Sequence, residues 1–315
     1  MMLLVINLIN CAIRCFMKFN FLYEPLRSST AEPDNGLHVI EHNARQVGRN
    51  IKQLQTNRRG MMKRFSLSLL VIVFGLVISI SIVYSETFVG TTNDTRALVA
   101  FKVAEKAAQA WLPDGWSVAP IGKGPLTGSN LLVVFIDRHL SLDPDGKPSA
   151  NPHYRAVVLV TPASQATSDK TRIYVTRIYS TDSSLNHYKN SVSAEIRRTS
   201  TLSAEGNAAA SGSEDWSVKT SDGGTLSFRW KYTGGTPSYA EGESFPYSNV
   251  EPDFHRIYRF KQLTDLVMSV PAKVARATEN EFSITIPELS SMFDGSEELI
   301  GIINIPFYLR RTYLP

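Results

Sequence analysis

The sequence predicts a single α+β domain that is mainly antiparallel β, a closed or nearly closed β-barrel-like structure with a few peripheral helices. Three observations predict this class. Short apolar or alternating runs recur along residues 96–315, only one early run is strongly helical, and no internal repeat divides the region. Because residues 86–315 contain no cysteine, the apolar core alone must stabilise this domain.

Residues 61–85 have the pattern of a secretory leader. Lys63 and Arg64 precede an uncharged apolar run over residues 65–84, and Val83 and Ser85 place small residues before Glu86. The run is also long enough to span a bilayer, so a cleaved signal peptide and a retained transmembrane anchor both stay open. Basic residues before the run and acidic residues after it predict that residues 86–315 are exported to the periplasm or the medium, anchored in the inner membrane if the leader is kept.

The region before the leader has no apolar periodicity. Residues 28–60 are polar and basic, which is typical of disorder. We interpret residues 1–60 as a disordered extension ahead of a mis-assigned start, with Met61 or Met62 as the first residue. A cytoplasmic tail of a membrane protein is the alternative.

The charge is divided unevenly along the chain. Residues 1–85 contain ten Lys and Arg against four Asp and Glu, whereas residues 86–315 contain 23 against 25. The basic character therefore belongs to the N-terminal region, and charge gives no reason to expect nucleic-acid binding by the domain.

The first elements of the domain follow a polar linker over residues 86–95. Residues 98–103 are β-prone, and the alanine-rich residues 104–112 form an amphipathic helix. Pro113, Asp114 and Gly115 end that helix in a turn. Further strands are predicted from apolar or alternating runs over residues 116–121, 130–137, 154–163, 172–180 and 193–202.

The clearest local signal is WSVKTSDGGTLSFRWKY at residues 216–232. Two alternating runs flank the turn at residues 221–224, which predicts a β-hairpin. One face of the second strand carries the apolar side chains Leu226, Phe228, Trp230 and Tyr232. Before the hairpin, residues 211–216 lie in an Ala/Gly/Ser-rich stretch that favours a loop tip.

The last third of the domain is less regular. Residues 234–252 are rich in Gly, Pro and Ser and are expected to form a loop, and residues 253–271 mix strand and helix character. Residues 281–287 form a strand, residues 287–301 hold one or two short helices, and the chain ends in an extended segment.

Common catalytic and metal motifs are missing from the sequence of the domain. His139, His153, His187 and His255 are widely spaced, so no metal and no cofactor is expected. There is no Gly-x-Ser-x-Gly nucleophile motif, and GKGPLTGSN at residues 122–130 lacks the Gly-Lys-Ser/Thr of a phosphate-binding loop.

The order of AEKAAQAWLPDGW, NLLVVFID, YRAVVLVTP and IYSTDSSLNHYKN, followed by the hairpin, resembles the acetoacetate decarboxylase-like superfamily. The resemblance covers most of residues 95–315 and implies that residues 96–315 form one β-barrel domain. In that family a lysine in a Pro-Lys-Lys step forms a Schiff base with the keto acid, and the neighbouring lysine lowers its pKa. The matching step here is Asp182-Ser183-Ser184, which has no amine, so imine chemistry is not expected.

Five side chains are candidates for a ligand site. Asp137 lies near a family position that often holds an acid, Arg177 and Arg229 can make the lumen cationic, and His187 and Lys189 follow the altered step. We expect an exported protein that binds a small molecule, with anions among the candidates, and favour this over an enzyme. The alternatives are a lyase or hydrolase with acid–base residues in the barrel, and a structural envelope protein with a filled barrel.

Overall fold

The computed structural model of the protein describes residues 85–315, apart from residues 166, 169 and 183. The predicted extension over residues 1–60 and residues 61–84 of the predicted leader lie outside the described residues. Within the described part of the chain, no helix has the length and apolar character needed to cross a membrane.

The described residues are mostly β-strand, as predicted. The strands are β1 (Thr87–Lys102), β2 (Ser117–Val118), β3 (Leu131–Leu142), β4 (Tyr154–Ser164), β5 (Thr171–Ser180), β6 (Ser191–Ser203), β7 (Ser211–Thr220), β8 (Thr225–Thr233), β9 (Ser238–Ser244), β10 (Pro246–Ser248), β11 (Ile257–Ser269), β12 (Val274–Ala275), β13 (Ala277–Ile284) and β14 (Glu298–Leu314). A single α-helix in the described region, α1 (Glu105–Gln109), follows β1, and a 3-10 turn over Pro287–Leu289 precedes β14. The peripheral helices are thus fewer and shorter than predicted.

The hydrogen-bonded strand order is β12-β11-β14-β1-β3-β4-β5-β6-β7-β8-β13. Neighbours on this path are antiparallel except β5 and β6, whose parallel pairing lasts for three residue pairs, from Ile178 and Ser191 to Ser180 and Ser193. From Ala194 onward β6 pairs with β7 instead, which carries the path into a second layer. Among the described strands the path ends at β12 and β13 without meeting itself, so the predicted closure of the barrel is not shown.

The second layer, β6–β7–β8–β13, covers one face of the first. Leu226, Phe228 and Trp230 on β8 are fully buried, which confirms the predicted hairpin and its apolar face. Phe135 of β3 packs against this face, with its ring centroid 5.8 Å from that of Phe228. The core therefore lies between the two layers, and aromatic rings fill much of it.

Three segments differ from the sequence prediction, because local composition was mistaken for solvent exposure. Residues 87–95 of the predicted linker are part of β1, and their alternate polar side chains Thr92 and Asp94 face the interior. Residues 211–216 begin β7 and not a loop tip, because their backbone pairs with β6. Residues 234–252 include β9 and β10, and β9 pairs with β11.

Strand β3 is buried on both faces. Val133 and Phe135 belong to the core between the layers, whereas Leu132, Val134 and Ile136 line a cavity on the other side of the sheet. Successive side chains of a strand point to opposite faces, so the same division extends to the neighbouring strands. The first layer thus separates a packed core from a cavity.

Candidate functional site

The cavity lies on the face of the first layer opposite the core. Its volume is about 650 Å³, within the range of roughly 300–1,000 Å³ that is usual for ligand pockets. Its walls come from β1, β3, β4, β5, β11 and β14 and include residues of the loops that follow β3 and β5. A small organic molecule fits a space of this size.

One part of the cavity is aliphatic. Leu98 of β1 stands opposite Val134 of β3 on one side and Ile303 of β14 on the other. Val134 in turn faces Val158 of β4, which faces Ile178 of β5. All five side chains line the cavity, so this row presents a continuous apolar wall.

Farther along the same strands, the side chains that line the cavity are polar or charged instead of aliphatic. Arg138 of β3 stands opposite Asp94 of β1 and Tyr154 of β4. Thr92 of β1 stands opposite Arg310 of β14. Charged and hydroxyl groups therefore line this second part, the polar end, and the cavity is amphipathic.

Asp94 is the central anion of the polar end. Its side chain is fully buried and forms ion pairs with Arg138 and with Arg96, whose Nε donates a hydrogen bond of 2.9 Å. Burial by itself raises the pKa of the carboxyl, but the charges of Arg96, Arg138 and Arg310 outweigh it and hold the pKa below its usual value. Asp94 is thus ionised and fixes two guanidinium groups.

Arg310 is different, because among the described residues it has no ion-pair or hydrogen-bond partner. It is only 8% exposed, lines the cavity, and has a buried Nε without an acceptor. Its guanidinium lies 4.0 Å from the centre of the Tyr258 ring. The charge of Asp94 acts on Arg310 from nearby but forms no ion pair with it. A buried guanidinium group without a hydrogen-bond acceptor is costly in free energy, so this position is suited to an anion from outside the chain.

Tyr188 and Tyr258 complete the polar end. Their hydroxyl oxygens are 2.6 Å apart, and both side chains line the cavity. Burial raises the pKa of Tyr188. Burial also acts to raise the pKa of Tyr258, but Arg310 and Arg256 outweigh it, so that the pKa is lowered. Both arginines therefore lie close enough to Tyr258 to act on the same point of the cavity.

The structure brings one of the five sequence candidates, His187, to this cavity. Partial burial, then the positive charges of Arg256 and Arg310, lower its pKa to about 4, so the ring is neutral near pH 7. Lys189, two residues later, is exposed, has a φ of 60° and does not contribute to the lining.

The other three candidates lie away from the cavity. Asp137 is on the opposite face of β3 from Arg138 and forms ion pairs with Arg155 and Arg198. Arg177 forms an ion pair with Glu288. Arg229 is on the exposed face of β8, where it forms an ion pair on the surface.

A change of register explains the position of Arg177. The sequence alternation of β5 places Ile173, Val175 and Arg177 on one face, but the register with β4 shifts between Leu159 and Val160. After this bulge Ile178, rather than Arg177, lines the cavity together with Ile173 and Val175. A bulge of one residue reverses the faces of a strand, and nothing in the local sequence marks it.

The loop that the resemblance aligns with the Pro-Lys-Lys step lies at the cavity. Asp182 and Ser184 are among the lining residues, and Ser184 donates a 2.7 Å hydrogen bond from Oγ to the Asp182 carboxylate. The lining taken from the described residues contains arginine and tyrosine but no lysine. In the described ranges, no group of three His, Asp or Glu side chains is arranged to hold a metal ion.

The sequence interpretation missed the arginines of the polar end. One signal was present on β3, where Leu132, Val134, Ile136 and Arg138 alternate with a second apolar series. An arginine that continues an alternating apolar face is a candidate for a buried charge. Arg96 and Arg310 carried no such signal, because only the strand register brings them together.

No family model matches the chain, and no curated protein matches it. Solved structures that it resembles include the enduracididine biosynthesis enzyme MppR with HEPES bound, at 10% identity and a TM-score of 0.46, covering 72% of this chain and 86% of that one. Another is an acetoacetate decarboxylase-like enzyme from Sphingomonas wittichii, at 12% identity and a TM-score of 0.43, covering 73% and 91%. The acetoacetate decarboxylase from Legionella pneumophila has 9% identity and a TM-score of 0.39, covering 73% and 85%. Acetoacetate decarboxylase appears in the names of the second and third of these structures.

Proposed function

We propose that this domain binds a small organic anion with an apolar body, without forming an imine with it. The observation that carries the proposal is Arg310, a buried arginine that lines the cavity and has no acceptor in the described part of the chain. The aliphatic wall supplies the complementary surface for the apolar body of the ligand. A filled barrel, the structural alternative, is less well supported because a cavity of about 650 Å³ is present.

Binding of decanoate and of decan-1-ol, measured by isothermal titration calorimetry, tests the proposal. The two probes share an apolar tail, and only decanoate is an anion at pH 7. We expect decanoate to bind more tightly, and Arg310→Gln to weaken its binding about tenfold or more, because hydrogen bonds to charged groups contribute about 1.5–3 kcal/mol.

Arg311→Gln is the matched control. Arg311 is the next residue of β14, is exposed, and does not line the cavity, so its substitution removes the same charge from the other face. Equal binding of decanol and decanoate, or equal effects of the two substitutions, would contradict the proposal.

The absence of imine formation has its own test. Acetoacetate is added to the protein together with sodium borohydride, and the intact mass is measured. We expect an unchanged mass, since the described lining of the cavity contains no lysine and arginine does not form an imine with a ketone under these conditions. A reduced covalent adduct would show that an amine of this chain is reactive and would refute this part of the proposal.

We also propose that the domain acts outside the cytoplasm. The leader pattern over residues 61–85 and the basic residues before it support this location. A fusion of alkaline phosphatase to Pro315, expressed in a Gram-negative bacterium, should be active in the periplasm. Loss of the apolar run at residues 65–84 should abolish that activity, and an inactive fusion of the full chain would contradict export.

A further inference from the structure

The polar end contains more guanidinium groups than it can pair with its own carboxylates. Asp94 engages Arg96 and Arg138. Arg310 and Arg256 both line the cavity, and neither has an ion-pair partner among the described residues. Each also has a buried Nε that lacks an acceptor. Two guanidinium groups therefore face the same space without an ion-pair partner among the described residues.

The two carboxylates that line the cavity, Asp182 and Asp143, are hydrogen-bonded to loop residues. Asp182 accepts hydrogen bonds from the Ser184 side chain and backbone and from Asn151. Asp143 accepts hydrogen bonds from the backbone N–H groups of Asp145 and Lys147. Neither aspartate forms an ion pair with an arginine in the part of the chain that the structure describes, so the two free guanidinium groups remain available to a ligand.

Hydroxyl groups surround Arg310. Thr92 stands directly opposite it on β1, and Thr312 follows two residues later on the same face of β14. Both threonines line the cavity, are less than 8% exposed, and have an Oγ1 without a partner in the described residues. Directly opposite side chains are about 5 Å apart at Cβ, so these hydroxyls and Arg310 converge on one small volume.

Together these guanidinium and hydroxyl groups are suited to bind one compact oxyanion that carries more than one negative charge. Two free guanidinium groups call for two negative charges, and the convergent hydroxyls need acceptor oxygens at the same point. A carboxylate offers one charge and two oxygens, whereas a phosphate monoester offers close to two charges and three terminal oxygens. We infer that the cavity takes an amphiphile with a phosphate monoester head at Arg310, Arg256, Thr92 and Thr312, and an alkyl body along the aliphatic wall. This inference rests on the proposed binding function and names the head group.

Decyl phosphate and decyl sulfate are the probes, measured calorimetrically below their micelle-forming concentrations. They have the same tail and a tetrahedral head, but the sulfate ester has one charge at every pH used. At pH 7.5 we expect decyl phosphate to bind at least about tenfold more tightly than decyl sulfate. At pH 5, below its second pKa of about 6, the phosphate ester is mainly a monoanion, and the ratio should approach one.

The pH comparison is read as a ratio, because the sulfate ester reports any titration of the protein itself. His187, the neighbouring histidine of the lining, has its pKa lowered to about 4 and is mainly neutral at both pH values. Asp94 is ionised at both, because its pKa lies below the usual value. A ratio near one at pH 7.5 overturns the phosphate assignment while leaving anion binding intact. If neither ester binds and decanoate does not bind either, the proposed function itself is refuted.

Inorganic phosphate distinguishes a free anion from a lipid-like head group. We expect it to bind at least a hundredfold more weakly than decyl phosphate, because the aliphatic wall then contributes nothing. Equal affinities would overturn the amphiphile and leave a simple phosphate site.

Two substitutions test the charges. Arg256→Gln, at a half-buried position, should reduce the ratio of the two affinities at pH 7.5 toward one, whereas Arg311→Gln should leave it unchanged. Arg310→Gln should weaken the binding of both esters. The thermal unfolding of this variant is measured as well, to show whether it folds. If that variant does not fold, Arg256→Gln alone decides: an unchanged ratio overturns the inference.

Discussion

Replacing Asp94 with asparagine should destabilise the domain strongly although the side chain keeps its shape. The Asp94 side chain is fully buried, and Arg138 and Arg96 beside it are 3% and 10% exposed at their side chains. Asparagine fills the same volume but leaves these guanidinium groups without a counter-charge. Breaking a buried ion pair in this way costs about 3–5 kcal/mol of unfolding free energy.

For a domain of this size the loss corresponds to a fall in the unfolding temperature of roughly 6–20 °C. Urea unfolding at pH 7, followed by tryptophan fluorescence, measures the free energy. Glu298→Gln is the control, since Glu298 forms an ion pair with Lys102 at an exposed position of the same sheet. An exposed pair of this kind contributes about 1 kcal/mol or less.

The same variant has a characteristic pH dependence. The pKa of Asp94 is lowered in the folded protein, so its contribution to stability is present above the unfolded-state pKa of about 4 and is lost as the pH falls below it. The difference in unfolding free energy between the native protein and Asp94→Asn should therefore become smaller below pH 4. If Asp94→Asn lowers the unfolding free energy at pH 7 no more than Glu298→Gln does, the role of Asp94 as the central counter-charge is refuted.

The remaining predictions concern the core and two other titrating groups. Phe228→Ala should lower the unfolding free energy by about 3–5 kcal/mol, because the ring is fully buried among aromatic neighbours; Leu202→Ala, 68% exposed, should change it by less than about 0.5 kcal/mol, and equal losses would contradict the assigned core. Tyr179→Phe should flatten the loss of stability above pH 10. The native phenol is fully buried and donates a 2.6 Å hydrogen bond to Glu288, so its pKa is raised, mainly by burial, and its contribution is lost as the pH rises past the unfolded-state value of about 10. His187→Gln should reduce the loss of stability between pH 6.5 and 4. The folded pKa of His187 is about 4, so the unfolded state takes up the proton first, and an unchanged slope in urea titrations would contradict this.

The order and type of most strands could be predicted from local sequence. The alternation of Leu226, Phe228 and Trp230 after the turn at residues 221–224 predicted the second strand of the hairpin and its buried face, because the period of two is a property of the strand itself. The run at residues 130–137 likewise predicted a buried strand. It could not show which face meets the core, since both faces of β3 are apolar.

The candidate site was harder to predict, for reasons visible at single residues. Asp137 and Arg138 are neighbours, and only the fold shows that Arg138 faces the cavity while Asp137 faces the second layer, where it pairs with Arg198 of β6. Arg177 was misplaced because of the bulge between β4 and β5. His187 was brought to the cavity as one of the loop residues after β5.

The sequence by itself determined a β-rich, cysteine-free domain behind a leader-like segment, since strand periodicity and composition depend on residues that are close along the chain. Tertiary structure alone decided that the strand path is open, that a cavity lies behind β3, and that Arg310 meets Thr92 there. These two residues are far apart in sequence and become neighbours through the register of β1 with β14. Register depends on the packing of the whole sheet, and a shift of one residue would point each of these side chains to the opposite face.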